Sequence, residues 1–441
     1  MNNATSMFSP SETDLKGKRR FPWIYVPTTY FAEGIPYTIV ILTSTYLYAD
    51  MKMPAWFIGL TGFLYLPWVI KMFWAPMVDL YMTKRRWILT TQAIIAVLFV
   101  LTAVSLSLST KIFIPATLTA FFLIAFFSSI HDAATDGFYM LSLTKKNQAF
   151  FVGVRSLAYR LAMWFGLGLL LIIVGVLIER GTEPTVSWSF AMGICAAVFL
   201  FLAIFHTFYL PRPHSDVQLT GKEYKRSTLY IEIFKTYFTQ PKILRIMGFI
   251  LLYRLGEAMI PKMVGVFLKT EETGGVLGLS DIDIGLAQGT FGLAGLIIGG
   301  LLGGWLIAKF GLRRCIWPMA LALNAPNFLY ILLAYYKPSF LFVCIVITIE
   351  QFGYGIGFTA FMVFLMYIAK GPFKTSHYAI STGLMGLGMM IPMMISGFLQ
   401  EYLGWLNFFI AVLLLTIPGM LMIFFIPLDN DKSPAKEPAS Q

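Results

Sequence analysis

Ile130-His131-Asp132-Ala133-Ala134-Thr135-Asp136-Gly137-Phe138 decides how this chain is read. The stretch sits inside an apolar segment running from near Ile112 to near Leu143, long enough to cross a hydrocarbon core of roughly 30 Å as a helix. A carboxylate at the centre of a bilayer costs roughly 2.5–3.5 kcal/mol on the insertion scale. Asp132 and Asp136 are four residues apart and so share one helical face. That face must look onto water or onto partner groups, and the rest of the chain has to supply them.

Composition supports the membrane reading. Of 441 residues, 58% are hydrophobic and only 12% charged, with a mean hydropathy of +0.74, whereas soluble domains carry about 25% charged residues. The apolar runs are too long, and too poor in period-two alternation, for an outer-membrane barrel. An all-α polytopic membrane protein follows. The net charge of +11 reads as a loop bias, with no nucleic-acid partner expected. Cys195, Cys315 and Cys344 stand isolated, without metal or disulfide spacing. The polar start, Met1 to Arg20, lacks a signal-peptide pattern, so the first span is expected to stay as an uncleaved anchor.

Twelve spans are predicted. Residues 1–22 form an N-terminal tail, 23–210 six spans, 211–242 a basic linker, 243–427 six more spans, and 428–441 a C-terminal tail. Twenty-three Lys and Arg fall in the tails, linker and loops on the side of the N-terminus, and five (Lys52, Lys111, Arg180, Lys269, Lys337) on the other. The positive-inside rule then puts both termini and the linker in the cytoplasm. The halves echo each other at one turn: Asp79 to Arg86 after the second span, and Lys309 to Arg314 after the eighth, are both tight and basic. Asp79, Arg85 and Arg86 are therefore candidate gating or structural residues, and Arg155 in the fifth span is another. Two six-helix halves joined by a basic cytoplasmic linker is the organisation of major-facilitator transporters, whose signature the first turn resembles. The second copy has Ala308 in place of the acid.

Ten charged groups lie within spans: Glu33, Asp132, Asp136, Glu257 and Glu350, against Lys71, Arg155, Arg160, Arg254 and Lys262. Facing lipid they would total roughly 25–35 kcal/mol, more than the stability of a typical domain, so they must face inward. Counting about 1.5 Å per residue sets Glu33, Lys71, Asp132, Arg160, Arg254, Glu257 and Glu350 near mid-depth, Asp136 and Arg155 nearer the cytoplasm and Lys262 nearer the outside. Such depth matches the midplane binding level of transporters of this organisation. Asp136–Arg155 and Asp132–Arg160 are the expected pairs. Ion pairs that merely hold the bundle together are the alternative. Glu33, Asp132, Asp136, Glu257 and Glu350 are candidates for proton coupling, and His131 could titrate with them, although a lone histidine is more often a packed, hydrogen-bonded residue. A metal site is not expected, since no second histidine lies at comparable depth.

Tyr30, Tyr37, Trp68, Trp74, Tyr159, Trp164, Tyr253 and Tyr354 lie near the charged level, where packing or stacking on a sugar are both open. Gly295, Gly299 and Gly303 repeat every four residues, a close-packing seam. Gly353, Gly355 and Gly357 follow Glu350 and could permit bending. No phosphate-binding Gly-Lys-Ser/Thr loop or His-Glu-x-x-His motif is present, so neither an enzyme nor an ATP-driven pump is expected, and no cofactor.

Six stretches together resemble the AmpG-type muropeptide permeases, and more distantly the acetyl-coenzyme A transporters: Phe31 to Pro36, Lys71 to Asp79, His131 to Asp136, Tyr159 to Leu161, Leu252 to Ala258, and Glu350 to Gly355. They run in the same order from the first span to the tenth. The resemblance implies proton-driven import of anhydro-muropeptides through the bacterial inner membrane by a monomer, for cell-wall recycling. Lys71, Arg160 and Arg254 would then suit the ligand's carboxylates, and Tyr30, Tyr37, Tyr253 and Tyr354 its sugars. The chain departs from that pattern at Glu33, where a small residue is usual, and at His131, where glutamine is. A same-fold transporter of an acyl-coenzyme A, a peptide or a siderophore is the alternative, and a non-transporting membrane sensor a third.

Overall fold

A computed structural model describes residues 22–74, 78, 81–213, 216, 226–269, 275–369 and 374–428. The tails, most of the linker and Asp79 lie outside them. Among the described residues the chain is helical throughout. In order the helices are α1 (22–50), α2 (55–73), α3 (Lys84–Ser105), α4 (Thr110–Ser142), α5 (145–179), α6 (Pro184–Tyr209), α7 (Arg226–Phe238), α8 (243–268), α9 (281–310), α10 (312–336), α11 (Phe340–Ile368), α12 (374–403) and α13 (405–422). Among the described residues, eight helical stretches are long and apolar enough to cross a membrane, one of them running across Gly404 from α12 into α13.

Several ends are set by local chemistry. Thr83 and Thr144 cap α3 and α5 by accepting from the backbone N–H of Arg86 and Asn147, and Ser280 with Asp283 closes a reciprocal capping box on α9. Lys337, left-handed at φ +44°, ends α10, and Gly404 at φ +71° separates α12 from α13. The shorter interruptions fall where proline removes a backbone donor. Pro36 precedes a π-helical stretch, Thr38–Thr43, inside α1. Around Pro67, α2 breaks into 3₁₀ and α pieces, which brings Lys71 into a separate final turn. In α8 the helix lapses after Leu252 and resumes at Ile260, beside Pro261.

The chain divides into two compact units. The first comprises residues 1–224 with 261–290 and 394–398, the second 225–260, 291–393 and 399–441. In the first, α1 packs on α4 and α5, and α3 on α4 and α6. In the second, α11 is the centre, flanked by α9 and α10. The glycine seam lies at this contact: a Cβ on Gly295 or Gly299 would fall 2.5 or 2.1 Å from the backbone oxygens of Thr348 and Phe352. α11 runs from Phe340 to Ile368 with no break in the helix after Glu350. Gly353 and Gly357 instead let α11 lie against the backbone of α10.

Candidate functional site

In the first unit, α1, α2, α4 and α5 bring their charged residues together. Lys71 Nζ lies 2.5 Å from Asp132 Oδ2. Asp136, one turn along α4, accepts from Tyr30 OH at 2.7 Å and from Arg155 Nη1 at 3.2 Å, and Arg155 also donates to Tyr30 OH at 3.0 Å. The guanidinium sits 4.9 Å from the centre of the Tyr30 ring. Glu33 comes from the same face of α1 as Tyr30 and Tyr37, and its carboxyl reaches that of Asp132. One of its oxygens, Oε2, is buried with no hydrogen-bond partner. These groups are not sealed off: the side chains of Lys71, Asp136 and Arg155 are 34%, 44% and 37% exposed. Charged side chains that keep open surface within a membrane-spanning bundle are what a wetted cavity wall requires.

The Asp136–Arg155 pair is as expected from depth. Asp132 differs, because its partner is Lys71 and not Arg160. Depth counting puts Lys71, Arg160 and Asp132 at one level and does not choose between the two cations; the break in α2 sets Lys71 in a separate final turn that reaches Asp132. Arg160 is partly buried on α5. Tyr37 is packed edge-on against Tyr65 and Trp68, with ring centres 6.0 and 5.8 Å away, and tilted against Tyr159 at 6.3 Å.

His131 points elsewhere. Its Nε2 is 3.0 Å from Gln92 Nε2, and Gln92 Oε1 is 2.9 Å from Nδ1 of His206, whose Nε2 is 2.9 Å from Thr28 Oγ1. An amide nitrogen donates only, and its oxygen accepts only. Gln92 therefore sets hydrogen on Nδ1 of both rings, with His131 Nε2 accepting and His206 Nδ1 donating, and bonds α3, α4 and α6 together. Sequence reasoning missed Gln92 and His206. A glutamine inside a span and a histidine in its last turn were the available signals.

Arg85 donates to the carbonyls of Thr207 at 2.6 Å and Leu210 at 3.4 Å, closing the C-terminal end of α6. Asp216, from the linker, accepts the backbone N–H groups of Lys84 and Arg85 at 2.8 and 3.1 Å, at the N-terminus of α3. Arg86 contributes its backbone N–H to the Thr83 cap. Asp79 lies outside the described residues.

The second unit holds its own ionic centre. Arg254 grips Glu257 through Nε–Oε2 at 2.7 Å and Nη2–Oε1 at 3.1 Å, donates to Tyr354 OH at 2.9 Å, and lies 5.1 Å from the ring centres of both Tyr354 and Phe358. The pair is closed, with side chains 4% and 3% exposed. Gly256 makes the local path possible, since a Cβ there would meet Val412 O at 2.3 Å. Buried Glu350 accepts from Gln351 at 2.9 Å and Tyr330 at 3.2 Å, both neutral donors. Tyr253 is in the apolar core, its ring between Phe249 and Phe361 and its hydroxyl on Gly357 O.

Comparison with known proteins adds a common thread. The profile of the Major Facilitator Superfamily matches residues 250–441. The anhydromuropeptide permease of Escherichia coli K12 is 25% identical over 401 residues, covering 89% of this chain and 77% of that protein. The putative transporter AmpG 1 of Rickettsia prowazekii is 25% identical, covering 90% and 96%. Among solved structures, a bacterial homologue of the human lysosomal transporter Spinster superposes with a TM-score of 0.67 at 15% identity, over 91% of this chain and 95% of that one. A D-xylose–proton symporter gives 0.67 at 13%, over 91% and 96%. The chain is a multi-pass membrane transporter with the major facilitator fold, related along most of its length to AmpG-named permeases.

Proposed function

We propose that this protein is a proton-coupled importer of anhydro-muropeptides in the bacterial inner membrane, working as a monomer with both termini and the linker in the cytoplasm. Its working parts are the six-span segments 23–210 and 243–427. The observation that carries the reading is the group Glu33, Lys71, Asp132, Asp136 and Arg155, in which Lys71, Asp136 and Arg155 stay open within a membrane-spanning bundle. The names of the relatives from Escherichia coli and Rickettsia favour a sugar-peptide as the solute.

The chemistry divides between the residues. Lys71 and Arg155, both over a third exposed, offer ammonium and guanidinium donors to peptide carboxylates, and Arg254 joins them when its closed pair with Glu257 opens. Arg160 is assigned the same role by its place on α5. Tyr30, Tyr37 and Tyr354 are assigned to the sugars by their place beside Arg155, Trp68 and Arg254, and Tyr253 supports them from the core. Glu33 and Asp132, in contact, hold one proton between them, because two adjacent carboxylates resist joint ionisation. A ligand carboxylate drawn to Lys71 competes with Asp132 for the ammonium, and a carboxylate losing its cation takes up a proton. Asp136, held by Tyr30 and Arg155, and Glu350, held by neutral donors alone, are further coupling groups in this reading, and Glu257 anchors Arg254. His131, set by Gln92, holds α4 in register beside Asp132.

The test is uptake of a labelled N-acetylglucosaminyl-anhydro-N-acetylmuramyl tripeptide into proteoliposomes. The proposal expects uptake in the wild type and its loss in Asp132→Asn and Arg254→Ala. A wild type that takes up none of this solute while transporting an acyl-coenzyme A or an unrelated peptide would overturn the assignment.

A further inference from the structure

The first unit contains a second ionic cluster that no part of the proposed cycle uses. Lys269, at the end of α8, is held between Asp50 at the end of α1 and Asp281 at the start of α9. All three side chains are nearly closed, at 5%, 7% and 5% exposed. The fully buried Trp188, near the start of α6, donates its indole N–H to the second oxygen of Asp50 at 2.7 Å. A further titratable neighbour is Tyr46 on α1, whose ring centre is 6.0 Å from the ammonium. The backbone pins this arrangement. Val276 and Leu279 donate to the carbonyls of Phe267 and Leu268 at 2.9 and 3.0 Å, and Gly278, at φ +67°, donates to Lys269 O at 3.1 Å. The loop thus turns back on the end of α8 and delivers Asp281 to Lys269.

Two buried carboxylates share one ammonium, so the cluster carries a surplus negative charge with no second cation among the described residues. A low-dielectric site does not hold such a surplus without a counter-ion. The cluster joins the ends of four helices on the side opposite the basic loops, and just beneath it α8 and α9 press closely on α1 and α5. A Cβ on Gly265 would lie 2.8 Å from the Thr45 methyl, and one on Gly289 would lie 2.3 Å from Gly168 Cα.

We propose that Asp50, Lys269 and Asp281, capped by Trp188, form a second proton-binding site that doubles as the outer lock of the protein. A proton from the outside, taken by Asp281, removes the surplus charge and one of the two ion pairs on Lys269. The ends of α8 and α9 then part from α1 and α6. The inference rests on the transport reading and on its assignment of sides, but it can fail or hold separately.

The experiment needs no substrate. Thr45, fully buried one to two turns below the lock, is replaced by cysteine, and its reaction with a membrane-impermeant maleimide added outside is followed in proteoliposomes. Rates are divided by those of exposed Lys111→Cys, which corrects for thiol ionisation, and the background of the buried native cysteines is subtracted. Lowering the outside pH from about 7.5 to about 5.5 should raise the normalised rate about ten-fold. Asp281→Asn and Asp50→Asn should label fast at the higher pH and lose most of the pH response, while Trp188→Phe should shift the response without abolishing it. A normalised wild-type rate that is flat with pH overturns the proton site, even if no variant folds. Asn variants that label as slowly as the wild type, with the same pH response, overturn the lock. Failure of muropeptide uptake with these labelling results intact would count against the transported solute and leave the lock standing.

Discussion

Replacing Arg254 with methionine is the sharpest test of how the charges in the second unit are held. The guanidinium makes two charge-assisted hydrogen bonds to Glu257, at 2.7 and 3.1 Å, and a third contact to Tyr354 OH at 2.9 Å. Its removal leaves the Glu257 carboxylate, 3% exposed, with no cation and no route to water. Stranding one member of a closed pair costs about 3–5 kcal/mol. Removing both members lets the site close as a neutral one, so Arg254→Met with Glu257→Gln should return to within about 1.5 kcal/mol of the wild type. Unfolding in mild detergent, followed by circular dichroism across the wild type, both single variants and the double, supplies the cycle. A double variant as unstable as the Arg254→Met single would refute the reasoning, because the loss would then lie in packing and not in an orphaned charge. The same cycle on Lys71 and Asp132, whose side chains are 34% and 12% exposed, should show a much smaller rescue, since water reaches the group left behind.

Other outcomes follow from the same geometry. Gly353→Ala should destabilise the second unit by at least about 2 kcal/mol, because its Cβ would fall 2.0 Å from Ala322 O on α10; thermal unfolding reads this, and an unchanged midpoint would contradict it. Gln92→Glu should change the pH profile of uptake where Gln92→Leu does not, because a carboxylate only accepts: it keeps the bond from His206 Nδ1 and requires hydrogen on His131 Nε2; a Glu-variant profile that matches the wild type would contradict it. Arg85→Ala should cost about 1 kcal/mol through the lost closure of α6, with uptake per folded molecule unchanged.

Much of the fold was legible in the sequence, because hydropathy and loop charge speak to spans one at a time. The Asp136–Arg155 pair was legible too, since both residues stand on regular stretches of α4 and α5 where depth can be counted. Lys71 was not: the break around Pro67 changes the rise and the direction of the last turn, so its contact with Asp132 has no signature in spacing. Asp50, Lys269 and Asp281 escaped for a different reason. They stand at helix ends, where a charge in the sequence looks like ordinary loop polarity, and only the return of residues 275–279 onto α8 turns them into a buried cluster. Tyr253 shows the converse, an aromatic at the right depth whose ring is spent on the apolar core.

Glu33 offers the most direct measurement of the account's central claim, because it adds a carboxyl to Asp132 with an oxygen that nothing else engages. In proteoliposomes, Glu33→Gln is compared with the wild type in two modes, exchange of labelled for unlabelled muropeptide with no gradient, and accumulation driven by an acid exterior. Coupling through the shared proton predicts exchange that persists and accumulation that vanishes. Accumulation at the wild-type level in Glu33→Gln would contradict it.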